Sequence, residues 1–156
     1  MRVIERESLM NETKQLQHFR SMAGVTYQLG PATLIFKRNQ DEGQGSYSVF
    51  ELIEQPGKSV ALHRHPPFQE TFVVCEGHFD FEVSGERRSL GPGEMLIIPR
   101  GATHGFTCTS PEPGRLLVIS TPASLFEAFV ADICAAGLGG TGDISAIAAR
   151  HGMEFF

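Results

Sequence analysis

Between Gly57 and Gly77 the chain sets His63, His65 and Glu70 around two adjacent prolines, Pro66 and Pro67. Side chains alternate along an extended strand, so His63 and His65 face the same way, about 6–7 Å apart. Two imidazoles at that spacing can converge on one cation lying about 2.0–2.1 Å from each nitrogen. Pro66 and Pro67 stiffen the corner that follows, because proline fixes its own φ and holds the preceding residue extended. The chain then returns through Glu70, Phe72 and Val74, and Glu70 offers an anionic oxygen from the neighbouring strand. A histidine pair alone suits a solvated hairpin as well as a metal. A second segment tips the balance: the apolar run at 95–98 ends in Pro99-Arg100-Gly101 and delivers His104 as a fourth candidate ligand.

The two segments resemble the paired motifs of the cupin superfamily, G-x5-H-x-H-x4-E-x6-G and G-x5-P-x-G-x2-H-x3-N, matched from Gly57 to Gly77 and from Gly93 to His104. His63, His65, Glu70 and His104 fill every ligand position. The one departure is Cys108, where the family pattern has Asn; that Asn is not a ligand, so the change puts a local hydrogen bond in doubt and not the site. The resemblance covers roughly residues 45–121 and implies a jelly-roll β-barrel of the small single-domain type. The residues after the barrel, ending Gly152-Met153-Glu154-Phe155, are similar in pattern to small quercetin-dioxygenase-like cupins. In those proteins the carboxylate matching Glu70 contacts the metal and takes the substrate's hydroxyl proton.

Length and charge agree with a small globular domain. A chain of 156 residues fits one domain able to bury about two thirds of its unfolded surface. It divides into an N-terminal arm (1–22), a barrel (23–121) and a helical tail (122–156). The net charge is −5, with 13 Lys plus Arg against 18 Asp plus Glu and no basic run longer than Arg87-Arg88. Nucleic acid is not the expected partner, since neutralising phosphates takes a clustered positive face. The start of the chain lacks the apolar core of a signal peptide, and no apolar run reaches the roughly 18 residues of a membrane span. Cys75, Cys108 and Cys134 form no CxxC pair, and their odd number argues against a disulfide framework, so a reducing cytoplasm is the expected compartment.

Ten short strands punctuated by Gly and Pro are expected, at 25–29, 32–37, 47–53, 59–65, 70–75, 79–83, 87–90, 95–98, 103–109 and 115–121. With no intervening helix they read as an all-β sandwich or barrel, which the cupin jelly roll satisfies. The 47–53 strand is apolar on both faces and is expected to be covered on both sides. Alternation at 79–83 puts His78 on the solvent side, outside the metal set. Parity with the ligands places Ala61, Phe72, Val74, Phe106 and Cys108 on the cavity wall. Leu125, Phe126, Phe129, Val130, Ile133 and Cys134 form a helical stripe expected to pack outside the barrel, with Thr121-Pro122 or Ser124 as its start and Gly137 as its end. Asp143 is expected to cap a second short helix, stopped by Gly152. Phe155 and Phe156 at the tail are exposed unless they pack on another surface; together with the two-sided strand from Tyr47 to Ile53 they offer surface to a partner chain, and a homodimer is the expected assembly.

Three imidazoles and one carboxylate make an N3O set without thiolate, which suits one divalent ion of iron, nickel, manganese, copper or zinc and disfavours a structural zinc centre. Cys108 lacks a base that is not already a ligand and reads as a small core residue. The small-molecule chemistry expected first is a metal-dependent dioxygenase on a hydroxylated aromatic or enolisable substrate, with Glu70 as base. A non-redox cyclase or isomerase of polyketide type comes second, and a metal-bearing binding module without turnover third.

Overall fold

The computed structural model describes residues 18–38, 45–137 and 144–156. Ten strands form where the sequence places them: β1 (Val25–Leu29), β2 (Ala32–Arg38), β3 (Ser48–Glu54), β4 (Ser59–Arg64), β5 (Gln69–Glu76), β6 (Phe79–Val83), β7 (Glu86–Leu90), β8 (Met95–Ile98), β9 (His104–Cys108) and β10 (Gly114–Thr121). Helices α1 (Phe126–Ala135) and α2 (Ser145–Arg150) follow, and the two-residue strand β11 (Glu154–Phe155) ends the chain. All pairings among the described residues are antiparallel. One sheet runs β1-β2-β3-β10-β5-β8 and the other β11-β4-β9-β6-β7.

The core forms where inward positions of the two sheets meet. On the large sheet Phe50, Val118 and Phe72 share one row and Leu52, Leu116 and Val74 the next. From the small sheet Phe81 and Phe106 meet Phe72 with ring centroids 5.3 and 5.6 Å apart, edge on. All of these side chains are buried, and each large one contributes about 1.5–3 kcal/mol of transfer free energy. Gly114 is required by this packing: a Cβ there would lie 2.5 Å from the Phe79 ring.

The two faces of β3 are covered by different things. Phe50 and Leu52 face the core, while Glu51, on the other side, is 4% exposed. Its carboxylate accepts a hydrogen bond from the Met22 backbone N–H and pairs with Lys37 at 3.3 Å and Arg115 at 3.0 Å. Lys37 also donates to the carbonyls of Arg20 and Ala23. The cover over this part of β3 is thus the chain's own segment from Arg20 to Ala23. Residues 1–17, most of the expected arm, lie outside the described residues.

The helical start differs from expectation. Thr121 is the last residue of β10, and the residue at the N-terminus of α1 is Leu125, with no side-chain cap. Ser124 is buried and spends its hydroxyl on Ser48, 3.2 Å away, so a tertiary contact outcompetes the local capping box. Gly137 follows the helix at φ 68°, where glycine carries no Cβ penalty. Asp143 lies outside the described residues. Among the described residues no helix is long and apolar enough to cross a membrane.

Candidate metal centre

The corner at Pro66 and Pro67 carries the chain from the small sheet, at the end of β4, into the large sheet, at the start of β5. His63 sits on β4, His65 just beyond it, and Glu70 on β5. His104 opens β9 directly opposite His63. The register between β4 and β9 shifts between Val60 and His63, and Gly105 lets the strands approach there: a Cβ at Gly105 would lie 2.7 Å from the Val60 carbonyl oxygen. That irregularity brings the motifs' histidines face to face.

His63, His65, Glu70 and His104 each present one ligand atom, all within 4.8 Å of one another, and all four residues are buried. His65 Nε2 lies 2.8 Å from Glu70 Oε2 and 3.2 Å from His104 Nε2, and His104 Nε2 lies 3.3 Å from the same Glu70 oxygen. Adjacent ligands bound about 2.1 Å from one ion stand about 3 Å apart when they subtend a right angle, so these separations match a shared cation. The outward nitrogens fix the tautomers. Nδ1 of His63 donates to the Ala61 carbonyl at 2.8 Å, that of His65 to Phe68 at 3.2 Å and that of His104 to Ala102 at 2.9 Å. Each imidazole with its proton on Nδ1 turns an Nε2 lone pair inward, the arrangement that metal-ligating histidines use. Three lone pairs and a carboxylate pointing together in a buried space repel one another without a cation or shared protons. The residues fit a bound transition metal.

The electrostatics agree. Burial, then the nearby His104, push His63 down to about 4, so it is neutral and able to ligate at neutral pH. Burial alone would raise Glu70, but protons shared with His104 and His65 prevail in the metal-free site and hold it well below the usual carboxylate range. Burial likewise opposes charge on His65, yet the Glu70 carboxylate raises its affinity for a proton. Two aromatic rings lock the imidazoles. Phe68 stacks on His65 at 4.1 Å and 7°, and Phe155 stacks on His63 at 5.2 Å and 21°.

The comparisons fall on the same segment. Residues 50–120 match the Cupin domain family, a stretch holding both motifs and all four candidate ligands. The chain belongs to the cupin family. An uncharacterized protein of Aquifex aeolicus (strain VF5) is 33% identical over 94 residues, which is 53% of this cupin and 77% of that protein. Among solved structures, a predicted oxalate decarboxylase from Thermotoga maritima aligns at TM-score 0.64 and 16% identity over 68% of this chain and 99% of its own. The polyketide cyclase RemF from Streptomyces resistomycificus aligns at 0.59 and 22%, over 69% and 80%. At these identities the structural matches speak for the fold.

Beside the ligands this cupin has a cavity of about 290 Å³, at the small end of ligand pockets. Ala61, Phe72 and Phe106 line it, together with His63, His65 and Glu70. Val74 and Cys108 do not: both are buried deeper among packed side chains, and Cys108 Sγ lies 3.3 Å from Ser110 Oγ. Strand parity sets which way a residue faces but not how far along the barrel the cavity extends. His78 is exposed, away from the ligands. Several wall residues come from the region after the barrel. Phe126, Phe129 and Ile133 of α1, with Met153 and Phe155, close the cavity. The helical stripe therefore packs on the barrel and also furnishes its contents' wall. The expected role of Phe155 as surface for a partner fails, because β11 pairs with β4 in the register Phe155↔His63 and the ring turns inward. Alternation of Met153, Glu154 and Phe155 was its only signal in the sequence, three residues being too few to mark a strand.

Proposed function

We propose that this cupin is a metal-dependent enzyme acting on a hydroxylated aromatic or enolisable small molecule, with dioxygenation as the reaction. One observation carries the reading: an ionised carboxylate, Glu70, stands among three neutral-capable imidazoles at the wall of an apolar, aromatic-lined cavity. His63, His65, Glu70 and His104 would hold one divalent ion of iron, nickel, manganese, copper or zinc. When bound, such an ion supplies Lewis-acid polarisation of a substrate oxygen and, if redox-active, electron exchange with dioxygen. Phe72, Phe106, Phe126 and Phe155 offer faces and edges to a flat ring and exclude water from it. A phenolic or enolic hydroxyl placed beside Glu70 Oε2 loses its proton to that oxygen, leaving an electron-rich substrate, and the His65 and His104 rings steady the protonated or ligating carboxylate.

Ring closure or isomerisation without oxygen would use the same base and the same wall, and a polyketide cyclase shares the fold. Oxygen separates the two. Protein reconstituted with iron, nickel or manganese is incubated with flavonols and related hydroxylated aromatics, with and without dioxygen, while oxygen uptake and product mass are followed. Uptake that disappears in Glu70→Gln is the expected result. Equal turnover without oxygen transfers the assignment to the cyclase or isomerase, and no turnover with any metal would leave a binding module.

A further inference from the structure

A second carboxyl lines the same cavity. Glu54, the last residue of β3, is 1% exposed and belongs to the cavity wall with Ala32, Leu52, Ser59 and Val60. One of its oxygens, Oε1, accepts a hydrogen bond from the Gln55 backbone N–H at 3.0 Å. Among the described residues Oε2 has no hydrogen-bond partner. Glu54 is on the cavity wall, so what the cavity holds, water or a ligand, is the partner open to this oxygen. Glu54 is not part of the ligand cluster: along β3 it lies six residues beyond Ser48, whose level on the sheet is that of Ser120 and Glu70. Across the cavity, β4 runs from Ser59, near the Glu54 end, to His63 at the ligand end, four residues or roughly 13 Å.

We propose that Glu54 is a specificity-determining residue, a hydrogen-bonding group at the far end of the cavity that selects aromatic ligands carrying a second oxygen substituent distal to the one facing His63, His65, Glu70 and His104. Burial raises the proton affinity of this carboxyl, with the Gln55 N–H and the charge of Lys58 opposing more weakly. In its neutral form it has both a donor and an acceptor to offer a phenolic hydroxyl. Among the described residues Lys58, itself exposed, is the charged group that bears on it. Of the other wall residues at this end, Leu29, Pro31, Ala32, Leu52 and Ile133 have no side-chain hydrogen-bonding group, and the Ser59 hydroxyl is paired with Thr107 Oγ1 at 2.7 Å. A ligand ending there in hydrocarbon leaves Glu54 Oε2 unpaired, and a ligand ending in a hydroxyl satisfies it. The selectivity thus comes from the cost of the unpaired group as much as from the bond made.

The inference rests on the aromatic-substrate reading above, and the test separates the two. Zinc-loaded protein, which cannot turn over by redox chemistry, is titrated calorimetrically with 3-hydroxyflavone and 3,4′-dihydroxyflavone, which differ by one distal hydroxyl. Wild type should prefer the dihydroxy compound by about tenfold, the worth of one hydrogen bond. Glu54→Leu should lose that preference with zinc content unchanged, and Glu54→Gln, which keeps a donor and an acceptor, should retain most of it. If wild type and Glu54→Leu bind both compounds with the same ratio, the role of Glu54 is overturned and the aromatic reading stands. If neither compound binds wild type, the aromatic reading itself is overturned and the Glu54 role with it.

Discussion

Phe155 lies directly across from His63 in the β11–β4 pairing, and the two rings stack with centroids 5.2 Å apart at 21°. Phe155, next to the last residue of the sequence, is thereby a wall of the candidate metal centre and a brace for one of its candidate ligands. The brace is anchored by the backbone, since the Phe156 N–H donates to the Leu62 carbonyl at 3.0 Å. The Arg64–Glu154 ion pair beside it is about half exposed and contributes little.

Phe155→Ala should therefore weaken metal binding without abolishing it. Loss of a stacked ring of this kind is worth about 0.5–1.5 kcal/mol, a drop in zinc affinity of up to about tenfold by competition with a chromophoric chelator. Phe156→Ala, whose ring is 68% exposed, should leave affinity within error. Equal affinities for both variants and wild type would show that the stack does not hold His63.

Removing a ligand should do far more. As purified, the protein is expected to carry close to one transition-metal ion per chain, and His63→Ala or His104→Ala to lose most of it, because ligand number and geometry change together. Elemental analysis decides. Full metal content in His104→Ala would refute the four-ligand site.

The metal-free protein should weaken on acidification through His63. Its folded value is about 4 against 6.5 for the free side chain, the result first of burial and then of repulsion by His104. Above pH 6.5 neither state carries the proton; between about 6.5 and 4 the unfolded chain takes it up and the folded chain does not. Stability is thus fully present above 6.5 and falls with pH through that window, by up to about 3 kcal/mol. His65, whose proton affinity is raised, acts in the opposite sense, so the measurement compares wild type with His63→Gln. Denaturant midpoints should show wild type losing stability relative to His63→Gln as the pH falls from 6.5 to 4. A constant difference would count against the buried neutral imidazole.

We propose that two copies pair through the outer face of the large sheet. There Met95, Val73 and Leu117 share one row and Ile97, Thr71 and Ile119 the next, and Met95 and Ile97 are 58% and 52% exposed. Light scattering should give about twice the chain mass of 17.1 kDa, and Met95→Glu with Ile97→Glu should restore the single-chain value. A wild-type mass near 17 kDa at micromolar concentration would exclude the pairing.

Some of this was legible in residues read one after another. The spacing of His63, His65, Glu70 and His104 marked the candidate ligands, and the alternation broken by Gly and Pro located ten strands, because both signals are carried by neighbours in the chain. The tertiary structure decided what lies at the same depth in the barrel. Phe72 and Val74 share a face by parity, yet Phe72 meets the cavity and Val74 is sealed in the next row, opposite Leu116. Ser124 looked like a cap and became a partner of Ser48, 76 positions away. Phe155 looked like loose surface and became part of the site, and Glu54, one position beyond the expected strand, became a buried acid with a free oxygen. Local pattern fixes which way a side chain points; what it meets there depends on segments far away in sequence, whose packing free energy outweighs local preference.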